Sequence, residues 1–355
     1  MYQKFDQRWI NPDTVLAYFN QIGIECIAQK SSVEGRAINL YRFGNGSKKV
    51  MIWSQMHGNE STTTRALVDV METLIKNRPD KSMFNELQLY IIPVLNPDGA
   101  VRWTRNNANE IDLNRDALAL SQPESTALFN WIADLKPQYC FNLHDQRTFY
   151  NLKNTTTEAL LSFLAPATEA SRQVNELRLK SMEIINHIVK NSSYSDYIGR
   201  YYDDFNPQCF GDRLGMLGYP TLLFEAGQLG LDYARTTTRK AMAEAILEGL
   251  TFIAENDFPV DKSQTINRYQ SISEMDKAKC DVLIKLVRKG ETLSELEIDY
   301  QEQLKDDHIS FIPVVKNIIP TSEKTARKTV VLVSNKTLLR LKVGDTMPNL
   351  PELKF

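Results

Sequence analysis

The feature that most constrains this chain is an alternation running through its first 260 residues. Short apolar runs end in polar turns, and each is followed by a stretch with helical spacing. Val50-Met51-Ile52-Trp53 leads into the turn His57-Gly58-Asn59-Glu60. Ala66, Leu67, Val70, Met71, Leu74 and Ile75 then recur on one helical face. Residues 87–95 read as a buried strand stopped by Asn96-Pro97-Asp98-Gly99, a strong turn signal. A helix is predicted around 126–135, then a strand over 139–143 that runs into His144. A long helix is predicted over 168–191, a strand over 221–224 ending at Glu225-Ala226-Gly227, and a closing helix over 237–255. Strands separated by helices predict an α/β fold: a mixed, mainly parallel sheet with helices on both faces.

The pattern stops after Asn256-Asp257-Phe258-Pro259. Residues 1–259 are expected to form one large domain and residues 260–355 a small, strand-containing appendage of unknown role. In the appendage, 330–333 and 338–343 flank Ser334-Asn335-Lys336-Thr337 and predict a hairpin. Charge narrows the function. Lys+Arg 42 against Asp+Glu 44 gives a net charge of −2, which speaks against nucleic acid or an anionic membrane as a partner. The N-terminus lacks the charged head and apolar run of a secretory signal, and no apolar stretch is long enough to span a bilayer. A cytoplasmic protein is the expectation. The four cysteines, Cys26, Cys140, Cys209 and Cys280, form no C-x-x-C pair, which argues against a zinc ribbon or a thioredoxin-type motif. Cys140, inside a predicted strand, is expected in the core.

Sites in open α/β sheets form beyond the carboxyl ends of the strands. Three predicted strands end there in His57/Glu60, His144 and Glu225. Two imidazoles and one carboxylate are a complete protein ligand set for a catalytic zinc. The H-x-x-E spacing puts two ligands on one turn, and His144 is the histidine at another strand end. Glu225 is then the candidate base. The other two histidines, His187 on a helix and His308 in the appendage, have no ligand partner nearby in sequence and read as incidental. Asp145, beside His144, reads as a solvated strand-end residue.

Further blocks follow in order: Asn96-Pro97-Asp98-Gly99, then Arg105-Asn106-Asn107-Ala108-Asn109, then Asp112-Leu113-Asn114-Arg115. With H-G-N-E, the strand ending in His144 and the strand ending in Phe224-Glu225, this order resembles the zinc carboxypeptidases of the M14 (carboxypeptidase A/B-like) family, over roughly residues 45–255. The resemblance implies His57, Glu60 and His144 as ligands of one zinc per chain, with Asp112 orienting His57. It implies Asn114 and Arg115 as the grip on a substrate's C-terminal carboxylate and Arg105 as the stabiliser of the oxyanion. Glu225 would activate the water and protonate the leaving amine.

The chain departs from the family's pattern at Asp116, where many relatives carry a second Asn. The substrate-covering tyrosine falls to either Tyr201 or Tyr202. The specificity loop should lie within residues 205–213, and Asp203, Asp204 and Asp212, in or beside it, would favour a basic or amine-bearing side chain. The implied activity is hydrolysis of the amide bond next to a free C-terminal carboxylate of a short peptide. The alternatives are a zinc-dependent N-acyl amino acid deacylase, like succinylglutamate desuccinylase and aspartoacylase, and a non-catalytic binding protein that keeps the fold. Oligomeric state is open.

Overall fold

The computed structural model describes residues 5–76, 85–257, 261–276, 279–322, 325–333 and 337–347. The chain opens with α1 (Pro12–Gln21), β1 (Glu25–Ser31), β2 (Ala37–Phe43), β3 (Lys48–Ser54) and α2 (Thr62–Lys76). Next come β4 (Leu87–Ile92), α3 (Pro97–Arg102), a 3-10 turn (Leu113–Arg115), α4 (Pro123–Leu135) and β5 (Tyr139–Asp145). After β6 (Asn151–Leu152) and β7 (Leu161–Leu164) follow α5 (Glu176–Asn191), β8 (Ile198–Arg200), α6 (Phe210–Met216) and β9 (Thr221–Ala226). The chain ends with α7 (Thr236–Glu255), α8 (Lys262–Ser271), β10 (Met275–Asp276), β11 (Lys279–Arg288), β12 (Glu291–Lys305), β13 (His308–Ile319) and β14 (Thr325–Val333).

Eight strands form one sheet in the order β1-β2-β4-β3-β5-β9-β7-β8. The central run β4-β3-β5-β9 is parallel, while β1-β2, β2-β4 and β9-β7 are antiparallel. Strand alternation sends successive side chains to opposite faces. Val50, Ile52, Phe141, Leu143 and Phe224 join the core under α1, α2, α5 and α7. Met51, Trp53 and Cys140 face the other way, under α4 and α6. The result is the expected mixed sheet covered on both faces, with Cys140 fully buried.

Helix α5 is shorter than its periodicity predicts. The Asn175 side chain accepts a hydrogen bond from Arg178 N at 3.0 Å, so the helix is capped there and 168–174 stay outside it. Helix α8 packs against α5: Thr265 Oγ1 donates to Glu183 Oε2 at 2.6 Å, Arg268 pairs with Glu183 at 2.8 Å, and buried Tyr269 accepts from Ala165 N. Strands β11 to β14 form a separate four-stranded sheet, order β13-β12-β11-β14, with its own small core of Val282, Ile284, Leu296, Ile298 and Val315.

The predicted hairpin at 330–343 is not what forms. Its turn residues 334–336 lie outside the described residues, but β14 pairs in parallel with β11, and Leu338–Arg340 is a 3-10 turn. Leu338 and Met347 are buried in the sheet's core instead of extending it; two apolar side chains gain more by covering that face than by pairing at an edge. Among the described residues no helix is long and apolar enough to cross a membrane.

Candidate metal centre and its cleft

The turn after β3 is built by backbone contact between two glycines. Gly58 lies so close to Gly99 that a Cβ on Gly58 would stand 2.0 Å from the Gly99 carbonyl carbon. Asn96 ties the two turns together. Its Oδ1 accepts from Gly99 N at 2.9 Å, and its Nδ2 donates to Met56 O at 3.2 Å and to Arg105 O at 3.4 Å. H-G-N-E and N-P-D-G are therefore two halves of one packed unit. Beyond it, Asn107 accepts from Asn109 N and Ile111 N, both at 3.1 Å, and donates to Gln122 and Glu124. That stapled loop delivers Asp112, which caps the 3-10 turn through Asn114 N at 2.9 Å.

His57, Glu60 and His144 are buried, and one ligand atom from each lies within 4.8 Å of the others. His57 Nε2 is 2.9 Å from Asp112 Oδ1 and its Nδ1 is 2.9 Å from Glu60 Oε1. His144 Nδ1 is 2.9 Å from Glu60 Oε2 and 3.1 Å from His57 Nδ1. If His57 donates Nε2–H to Asp112, its Nδ1 carries a lone pair aimed at the other two groups. Two imidazole nitrogens facing each other beside a carboxylate form a converging set of donors, and this fits zinc.

Electrostatics follow from the same packing. Burial pushes the His144 imidazole down. For His57 burial acts downward too, but Glu60 and Asp112 outweigh it and the pKa rises. Burial would raise Glu60, yet the two histidines hold it well below the usual carboxylate range. Asp112 is likewise lowered against burial, by His57 and Arg105.

Asp145 corrects the sequence expectation. It is buried, not solvated: its carboxylate accepts from Thr62 N at 2.9 Å and Thr63 N at 3.1 Å, at the start of α2. Its own N–H donates to Glu60 Oε2 at 3.0 Å. Asp145 thus locks β5, α2 and Glu60 together. The strand that carries it is buried along its whole length.

The cluster opens into a cleft of about 280 Å³ lined by Arg105, Asn114, Arg115, Tyr201 and Glu225 among others. Glu225 lies on β9 in register with His144 on β5. Burial first, then the nearby Glu60 and Asp145 charges, pushes its carboxyl well above the ordinary value. Arg105 reaches Asp112 Oδ2 at 3.0 Å and Glu60 Oε1 at 3.5 Å while staying 42% exposed. Asn114 Oδ1 accepts from Phe210 N at 3.0 Å, the first residue of α6. Arg115 is exposed and donates to Cys209 Sγ at 3.1 Å.

Of the two tyrosines, Tyr201 lines the cleft and donates to Tyr150 Oη at 3.2 Å, whereas Tyr202 is 47% exposed and lies outside the lining. Asp204 and Asp212 line the cleft, while Asp203 is engaged by Arg178. Burial raises Asp212 to about 7. Asp116 turns away: it accepts from Ser121 N, Ser121 Oγ and Gln122 N at 3.0, 2.7 and 3.0 Å. It holds a loop and does not line the cleft. The sequence reading missed Gln146 and Arg147, which also line it. His187 pairs with Glu248 at 3.2 Å, and exposed His308 bonds Asp306 O at 2.7 Å; neither nears the cluster.

The family model for zinc carboxypeptidases matches residues 23–116. Carboxypeptidase SOL1 of Arabidopsis thaliana is 35% identical over 103 residues, covering 25% of this chain and 21% of that protein. Human carboxypeptidase D is 29% identical over 109 residues, 25% of this chain and 8% of its own length. The matched region spans about a fifth of the length of the first curated relatives. Among solved structures, carboxypeptidase A from Helicoverpa armigera superposes with a TM-score of 0.55 at 19% identity, covering 70% of this chain and 74% of the other. A metallo-carboxypeptidase from Burkholderia cenocepacia gives 0.53 at 17%, covering 67% and 68%. These two carry the fold, and the family match carries the H-x-x-E turn, Asp112 and Arg115. Over residues 23–116 the chain is similar to the zinc carboxypeptidase family, and its fold is that of the solved carboxypeptidases.

Proposed function

We propose that the protein is a zinc-dependent carboxypeptidase that hydrolyses the amide bond next to the free C-terminal carboxylate of a short peptide. The observation that supports this best is the placement of Glu225. It stands across the β5–β9 pair from His144, in one cleft with the His57, Glu60 and His144 cluster and with Arg105 and Arg115.

In this reading His57, Glu60 and His144 hold one zinc per chain, which when bound supplies a Lewis acid for the water and the scissile carbonyl. Asp112 keeps the His57 imidazole in the tautomer that leaves Nδ1 free. Glu225 takes a proton from the attacking water and returns it to the departing nitrogen. Arg105 donates to the carbonyl oxygen as it gains charge. Arg115, whose planar fork matches a carboxylate, and Asn114 hold the substrate's terminus. Tyr201 supplies the covering ring; its half-buried place beside Glu225 suits that role better than the exposed Tyr202. Asp204 and Asp212 at the cleft wall suit a basic or amine-bearing side chain.

The test is hydrolysis of peptides with free C-termini against N-acyl amino acids, with zinc-loaded wild type and Glu225→Gln. The expected result is cleavage of peptides by wild type and a loss of about 10³-fold in the variant. Cleavage of the acyl amino acids alone would instead assign the protein as a deacylase. A variant as active as wild type, in a protein without stoichiometric zinc, would point to a binding protein.

A further inference from the structure

Glu302 ties the C-terminal sheet to a residue of the cleft. Glu302, on β12, is 9% exposed and accepts from three groups of the large body: Arg8 Nη2 at 2.9 Å, Trp103 Nε1 at 2.8 Å and Arg147 Nη2 at 2.8 Å. Arg147 in turn lines the cleft and donates Nη1 to Asn59 O at 3.2 Å, inside the turn that carries His57 and Glu60. Its side chain is 26% exposed, and its guanidinium lies over the Trp103 ring at 6.0 Å.

Two features make this more than a structural tie. Glu302 is one carboxylate shared between two guanidiniums, Arg8 and Arg147, so the trio carries a surplus positive charge. The contacts also set Arg147 apart from Arg115. Arg115 touches Asn114 and Cys209; from Asn114 the contacts run through Asp112 to His57 and Glu60, and Asn59 between them holds Arg147. The two arginines are therefore tied to the metal-ligand turn through different residues, Arg115 by way of Asn114 and Asp112 and Arg147 by way of Asn59.

We propose that Arg147 is a second anion-binding residue of the cleft, and that Glu302 is its positioning residue. This rests on the carboxypeptidase reading, in which Arg115 holds the terminal carboxylate. Arg147 then faces the part of the substrate on the acyl side of the scissile bond. It favours a carboxylate there, as an acidic residue preceding the C-terminal one provides. The C-terminal sheet, through Glu302, is part of the substrate-binding apparatus.

The experiment compares matched N-acetylated peptides that differ only in Glu or Gln at the position before the C-terminal residue. Zinc-loaded wild type should prefer the Glu peptide by about tenfold in kcat/KM, the scale of one charge-assisted contact, and the preference should lie in KM. Arg147→Met should bring the ratio to about one, with Arg147→Lys retaining part of it. Glu302→Gln should lower the ratio with bound zinc per chain unchanged, which a general loss of structure would not do. If Glu302→Gln does not fold, the two Arg147 variants still decide. Equal cleavage of both peptides by wild type, or an unchanged ratio in Arg147→Met, overturns the role of Arg147 alone. Failure of wild type to cleave either peptide overturns the carboxypeptidase reading beneath it.

Discussion

The two walls of the cleft are built in different ways. On one side, residues 57–115 bring a ligand turn, a glycine-to-glycine contact and a stapled asparagine loop together within about sixty positions of sequence. On the other, Arg147 is held by Glu302, 155 positions away by their numbers, from a different sheet. The first wall depends on backbone approaching backbone, which only particular residue types at fixed spacing allow. The second depends on charge pairing at a distance, which leaves no local signature. Motif-rich segments report tight backbone geometry; they do not report where the rest of the site comes from.

The comparison can be broken from either side. The largest effect is chemical: Glu225→Gln should lower peptide hydrolysis by about 10³-fold with zinc content unchanged, read by kinetics and metal analysis. Next is Gly58→Ala, which puts a Cβ against the Gly99 carbonyl carbon. It should cost about 3 kcal/mol or more in denaturant unfolding and weaken zinc retention. If Gly58→Ala is neutral, the first wall is not governed by backbone contact.

On the second wall, Glu302→Gln leaves buried Arg8 and part-buried Arg147 without their shared carboxylate and should cost about 2–3 kcal/mol at pH 7. The pH dependence has a definite sign. The Arg8 and Arg147 charges overcome burial and hold Glu302 at about 2 in the folded protein. Its stabilisation is complete above the ordinary carboxylate range and is lost as pH falls toward 2. The stability gap between wild type and variant should close over that window.

The smallest effect concerns Asp212, raised by burial to about 7. A raised carboxyl costs stability when ionised. Asp212→Asn should therefore be more stable than wild type by about 1 kcal/mol above pH 7, with the gain fading below pH 4. Thermal melts at pH 4 and pH 8 would read this.

What the sequence made legible follows the same division. The parallel core strands, His57, Glu60 and His144 could be read because apolar runs and turn residues are local patterns. Glu225 could be read because it ends such a run. Asp145 could not, since its partners are the N–H groups of α2, reached only when β5 and α2 pack. Which of Tyr201 and Tyr202 lines the cleft could not be read either, because packing against distant segments decides it. The hairpin expected at 330–343 failed because Leu338 is drawn into a core whose other members start at Val282. Local spacing carries no information about that pull.

The central claim is that one cleft combines a zinc site with a grip on a free carboxylate. Its most direct test is a single competition: one peptide with a free C-terminus and the same peptide amidated, given together to the zinc-loaded protein. The account predicts release of the terminal residue from the free acid, with the amide left nearly intact. Cleavage of both at similar rates would contradict it.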